Sequence, residues 1–536
     1  MKSRYRWSLV LVVLILPIMG ATKFSINSVD EVEEISLHYA DYTFVGEQIG
    51  DWAGYFASPA GDVNGDGYMD ILIGAPKAGT RIPGFVSGEG KAYLILGSPN
   101  PDWSPAPPTS TLPLPVDGLF TVYFPSVYNP PHINLAWADA AFKGCRQGSM
   151  SARQLYTAGD VNGDGYDDFL ISGWQCEGYL KGEAYLFLGR PDVEYWGSDY
   201  PLEQADAIFV GENDKDTASY YSSEAGDINA DGYDDFLITA THYDITGTEV
   251  ITDVGKAYLI LGRPEADWGR SFDLSQADAS FLGSTFDFRL GRSTAAVGDV
   301  NSDGYADFMI GSIESDDGGV DAGEAFLFLG RPRDAEGWWG KDFPVNQADA
   351  SFIGENDGDE VGRRVAGAGD VNRDGYDDML IGAAAYRNYT GKAYLILGKP
   401  EADWGTDYSL ADADASFVGE KRKDEAGRRV SGAGDVNHDG YSDFLIGAPH
   451  SQRGGFFAGT AYLAYGRAAA DWGRDMPVAN LDVAYIGMPD VRAAGYDVAD
   501  IGDFNGDGID DFVIAAYGSQ IKPYISPGEV YLILGR

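Results

Sequence analysis

The chain has 536 residues, with 38 Lys and Arg against 83 Asp and Glu, a formal net charge of −45. An acid excess of this size, with no basic stripe, excludes nucleic acid and anionic lipid as main partners. Length alone would suggest about three or four domains, but a regular internal repeat implies one closed body.

Lys2, Arg4 and Arg6 open the chain, an apolar run follows from Leu9 to Met19, and Gly20 and Ala21 end it. Residues 1–21 read as a secretory signal, too short to cross a membrane. Ile18 and Met19 are not the small residues expected just before a cleavage site, so a retained anchor is the alternative. No later segment reaches membrane length, which implies a secreted or cell-surface protein without a membrane span once the signal is removed. Residues 22–41 are a lead-in, and residues 42–536 are repetitive.

The pattern Asp-x-Asn-x-Asp-Gly-x-x-Asp occurs seven times, at spacings of 65 to 72 residues after a first gap of 98. Alternating carboxylate and amide oxygens with a glycine at position 6 suit a hard cation such as Ca²⁺, which takes six to eight oxygens. With position 7 included, the candidate ligands are Asp62, Asn64, Asp66, Tyr68 and Asp70, then Asp160, Asn162, Asp164, Tyr166 and Asp168. The third and fourth loops hold Asp227, Asn229, Asp231, Tyr233 and Asp235, and Asp299, Asn301, Asp303, Tyr305 and Asp307. The fifth and sixth hold Asp370, Asn372, Asp374, Tyr376 and Asp378, and Asp435, Asn437, Asp439, Tyr441 and Asp443. The seventh holds Asp503, Asn505, Asp507, Ile509 and Asp511. About seven Ca²⁺ ions are expected, and their 14 positive charges would leave roughly −31.

An EF-hand needs a bidentate Glu at position 12, where this chain has isoleucine every time, from Ile73 to Ile514. Apolar runs such as Phe169-Leu170-Ile171 follow the loops, so each loop is a hairpin turn between strands. Each unit carries four short strand-like segments and no helical pattern, which is the blade of a β-propeller.

Phe-x-Gly recurs at Phe44, Phe142, Phe209, Phe281, Phe352 and Phe417, with Tyr485-Ile486-Gly487 as a variant. Gly-Ala-Pro is intact at Gly74-Ala75-Pro76 and Gly447-Ala448-Pro449. With these elements the chain resembles the FG-GAP repeat proteins, the group that includes the integrin α-subunit propeller. The resemblance covers residues 42 to 536. It implies an all-β, seven-bladed propeller whose Ca²⁺ loops share one face. It also implies that Phe-x-Gly is the outer strand of the preceding blade, so that residues 42–46 pair near Glu529 to Leu534 and close the ring. Cys145 and Cys176 then both fall around blade 2 on the opposite face, and a disulfide between them is expected, two separate buried residues being the alternative.

Residues 98–138 are a proline-rich insertion in blade 1, with room for a small hairpin around Phe120 to Phe124. A tryptophan recurs at Trp103, Trp196, Trp268, Trp339, Trp404 and Trp472. A residue repeated at one register reads as an anchor between blades, and a ring of sugar platforms is the sharper alternative. Arg292, Arg363, Arg364, Arg428 and Arg429, with Arg153 in register, fall on inner strands. Pairing with acids around the channel is expected of them, and an anion or acidic-sugar site is the alternative.

The five histidines share no spacing, and no catalytic motif is present. The resemblance implies an adhesion or recognition scaffold whose partner is an extracellular protein or glycan, and a monomer is expected. A glycan-binding lectin and a polysaccharide lyase or hydrolase on a propeller frame are the alternatives.

Overall fold

A computed structural model describes residues 33–79, 88–99, 131–146, 149–173, 181–246, 250–333, 335, 337–488, 492–518 and 526–536. Cys176, Trp103 and the expected hairpin around Phe120 to Phe124 lie outside these residues. The described strands form seven sheets of five strands each. The chain is a seven-bladed β-propeller. Among the described residues, no helix is long and apolar enough to cross a membrane.

In blade 1 the inner strand Phe56–Gly61 pairs antiparallel with Asp70–Ala75, which pairs with Lys91–Ile95, which pairs with Ala140–Lys143. The second and third strands are buried along their full length, as near-continuous apolar runs require. Each inner strand shifts register just before its final glycine, at Pro59/Gly61 and its six counterparts. Such a bulge bends the strand, and here it feeds the chain into the Asp-rich loop. Each inner strand contacts the next, and Phe56–Gly61 contacts Asp497–Gly502, so the ring is closed.

Sequence reading expected four strands per blade, and the structure adds a fifth. It is a short parallel strand taken from the chain leading to the next blade's outer strand. Tyr200–Pro201 lies along Ala140–Lys143 of blade 1, and Phe343–Pro344 along Ala279–Leu282 of blade 3. A 3₁₀ turn follows each fifth strand and buries its first residue: Leu202, Leu274, Val345, Leu410, Val478, Leu135 and Leu37. The element stitches neighbouring blades together.

At the closure, Tyr42–Val45 runs antiparallel to Glu529–Ile533, with Tyr42 opposite Leu532 and Val45 opposite Glu529. The expected clasp is present. Upstream, Glu33–Ser36 pairs parallel with Val483–Ile486 in blade 6, so one stretch of chain ties two blades. The end of the proline-rich segment is regular: His132–Asn134 is the fifth strand of blade 7.

Candidate metal loops and the channel mouth

All seven Asp-rich loops leave the same end of the inner strands and fold alike. The first Asp takes the N–H of position 5 at 2.9–3.1 Å and that of the position-6 glycine at 2.7–2.9 Å. Position 5 accepts from the position-7 N–H, as Asp66 does from Tyr68 at 3.1 Å. The position-6 glycine has φ between 86° and 93° in every loop, a conformation a side chain would strain.

The ninth Asp has a role that spacing alone does not reveal. It is 0 % exposed in all seven loops. Asp70 Oδ2 accepts from Val63 N at 3.1 Å and Oδ1 from Gly97 N at 2.8 Å. The same two bonds recur in every blade, for example at Asp235 and Asp378. Burial first, then the charges of Asp66 and Asp62, pushes the Asp70 carboxyl up to about 8. Asp168 rises to about 9, and Asp443 and Asp511 to about 7, again with burial as the main cause.

Among the described residues, none of the loop carboxylates at positions 1, 5 and 9 forms an ion pair with Lys or Arg. In the fifth loop Asn372 Oδ1 is buried without a hydrogen-bond partner. Three carboxylates and a carboxamide without a counter-charge are a donor set that fits a hard divalent cation. Among the described residues, no loop holds three carboxylate oxygens within 4.8 Å of one another. Asp317, Glu324 and Asp407, away from the loops, do come that close.

Neighbouring loops are also tied to each other, which sequence reading missed. Where position 8 is Asp, its carboxylate takes the position-1 N–H of the preceding loop. Asp167 holds Asp62 N at 2.7 Å, Asp234 holds Asp160 N at 2.9 Å, and Asp510 holds Asp435 N at 2.8 Å. The Asp-Asp pair at positions 8 and 9 was the available signal.

At the opposite end of the inner strands, every blade places one residue six positions before its closing glycine. These are Tyr55, Arg153, Tyr220, Arg292, Arg363, Arg428 and Tyr496. Arg428 pairs with Glu425 at 2.5 Å and Arg363 with Glu360, while Arg429 behind them pairs with Asp497 at 2.9 Å. The recurring tryptophans sit elsewhere, and Trp196, Trp268, Trp339 and Trp472 are buried. Trp196 packs on Phe142 of blade 1 and Phe169 of blade 2, with centroids 5.4 and 5.5 Å apart. Trp268 bridges Phe209 and Phe236 in the same way, so these rings are anchors between blades. Cys145 lies just after the outer strand Ala140–Lys143, and its expected partner Cys176 is outside the described residues.

The FG-GAP repeat family matches residues 53–95, 219–260, 361–396 and 426–463. Integrin alpha pat-2 of Caenorhabditis elegans is 28% identical over 256 residues, 46% of this chain and 19% of that protein. Integrin alpha-PS2 of Drosophila melanogaster is 29% identical over 181 residues, 32% of this chain and 12% of that protein. Phosphatidylinositol-glycan-specific phospholipase D of Dictyostelium discoideum is 25% identical over 289 residues, 50% of this chain and 28% of that protein. The matched regions thus span less than a third of each relative's length.

Proposed function

We propose that this chain, an integrin-α-like FG-GAP β-propeller, is a calcium-stabilised recognition scaffold that works outside the cell. The observation that carries the proposal is the set of seven Asp-rich loops, in which buried carboxylates have no basic partner among the described residues. In each loop the residues at positions 1, 3, 5, 7 and 9 would hold a Ca²⁺ ion, beginning with Asp62, Asn64, Asp66, Tyr68 and Asp70. Bound Ca²⁺ supplies the positive charge that lets the buried ninth carboxylate ionise. The role is structural, because seven equivalent loops locked to one another leave no distinctive centre for chemistry. Recognition of an extracellular protein or glycan falls to the other face. The secretory reading of residues 1–21 agrees with this, as does a Cys145–Cys176 bridge in an oxidising compartment.

Two measurements test the reading. Thermal unfolding with Ca²⁺ and then with chelator should show a large, reversible drop in Tm, and an unchanged Tm would remove calcium from the account. The labelled protein should bind cell surfaces saturably in Ca²⁺ and lose that binding on chelation. A folded, Ca²⁺-loaded protein that binds no cell surface would contradict the recognition role.

A further inference from the structure

The loop face is predominantly acidic, yet the opposite mouth of the channel is ringed by arginine and tyrosine. In blade order the ring reads Tyr55, Arg153, Tyr220, Arg292, Arg363, Arg428, Tyr496. All but Tyr496 remain partly open to solvent. Arg364 and Arg429 stand behind them on the inner strands. Of Arg292, Arg363, Arg364, Arg428 and Arg429, three pair with carboxylates among the described residues, those of Glu360, Glu425 and Asp497. In a chain of net charge −45, unpaired arginines would be expected to find acids with ease.

Among the described residues, Arg292 has no ion-pair partner. Its guanidinium lies over the Tyr221 ring, 4.7 Å from the centroid. Burial, then the nearby charge of Arg363, holds it down to about 10. Arg153 donates to the Tyr55 hydroxyl at 3.0 Å and stacks over Tyr220 at 4.8 Å. Tyr55, Tyr496 and Tyr517 cluster beside it with centroids 4.4 to 5.8 Å apart. Forked donors that bind carboxylate or sulfate two oxygens at a time therefore stand beside aromatic surface.

We propose that this Arg–Tyr ring binds an acidic saccharide, a glycan bearing uronate or sulfate groups. The arginines would take the anions and the tyrosines the apolar faces of the sugar rings. A multiply charged ligand suits charges spread around a ring better than a single acidic side chain would. The proposal rests on the recognition reading above and names the class of ligand for it.

The test uses the full, Ca²⁺-loaded chain with two probes, dextran sulfate and a galacturonate oligosaccharide, which separate sulfate from carboxylate as the anion. Neutral dextran and polyglutamate are the comparisons. Saturable binding to either acidic probe, weakened by salt and absent for neutral dextran, is expected. Arg292→Gln should weaken it at least tenfold while Tm stays equal or rises, because one like charge leaves the cluster. Arg363→Gln is the second variant should the first fail to fold. Absence of binding to both acidic probes, or binding indifferent to both variants, overturns the proposal. Polyglutamate bound as tightly as the saccharides overturns it in favour of an acidic peptide. Cell-surface binding that persists when both probes fail would sink this proposal and leave the recognition role standing.

Discussion

Arg429 Nε donates to Asp497 Oδ1 at 2.9 Å, with both side chains buried, and Asp497 Oδ2 also accepts the Ala57 N–H at 3.0 Å. One carboxylate therefore joins blades 6, 7 and 1 at the point where the ring closes. Removing one partner of a buried pair leaves an uncompensated charge and costs about 3–5 kcal/mol. Asp497→Ala should lose that much in denaturant unfolding. Arg429→Met combined with Asp497→Leu should recover part of it, since apolar replacement of a buried pair is often neutral but the Ala57 N–H still loses its acceptor. A single mutant as stable as the parent would mean the pair holds nothing together.

Calcium uptake should release protons. Burial and its acidic neighbours raise the ninth Asp of each loop, with Asp70, Asp235 and Asp378 at about 8. A carboxyl raised in the folded state binds protons there that the unfolded chain gives up near pH 4. Metal-free protein should thus lose stability as pH rises from about 4 through 8. Ca²⁺ requires the ionised form, so at pH 7 each site should release up to about one proton on binding. Calorimetric titration in buffers of different ionisation enthalpy measures this number. Identical heats in all buffers would show that the carboxyls are already ionised.

The closed ring and the Asp-rich hairpins were legible because each repeats with a strong local signature. Phe44 announced the clasp by sharing its Phe-x-Gly context with five other outer strands. The fifth strands were not legible. Tyr200–Pro201 and Phe343–Pro344 are two residues long, too short for any periodicity, and their pairing is set by the blade they lie on. The loop-to-loop bonds were hidden for a related reason: Asp167 and Asp62 are 105 residues apart. At the channel mouth the arginines were visible, but the tyrosines that share the ring with them emerge only when seven inner strands are aligned on their glycines.

Position 4 of the metal loop also adopts positive φ. Glycine supplies it at Gly65, Gly163 and Gly506, with φ of 69°, 73° and 72°. Ala230, Ser302, Arg373 and His438 take φ between 56° and 59° at the same place. A left-handed residue with a Cβ costs roughly 1–2 kcal/mol, against less than about 1 kcal/mol of unfolded-chain entropy gained by glycine. Ala230 is exposed, so Ala230→Gly should raise stability by about 0.5–1 kcal/mol. A lower Tm for the variant would show that the loop relieves the strain in another way.

Glu324 stands where blades 1, 3 and 5 have Lys91, Lys256 and Lys392. Those lysines are held between two acids, as Lys256 is by Glu212 and Asp342, each at 2.7 Å. The Phe-x-Gly that leads into blade 4 is followed by Ser284 rather than Glu, and Glu324 faces Asp317 and Asp407 instead of a cation. Ser315 Oγ donates to its Oε2 at 2.8 Å, and burial above all pushes its carboxyl up to about 7. The folded state therefore holds this proton more tightly than the unfolded chain, which ionises near pH 4.5. Stability should fall as pH rises through that window, by on the order of 3 kcal/mol once pH exceeds 7. Glu324→Gln keeps the shape and an acceptor for Ser315 but cannot ionise. At constant Ca²⁺ it should match the parent near pH 4.5 and exceed it by roughly 2–3 kcal/mol at pH 8. Parallel stability curves for the two proteins across this range would show that Glu324 is ionised without cost.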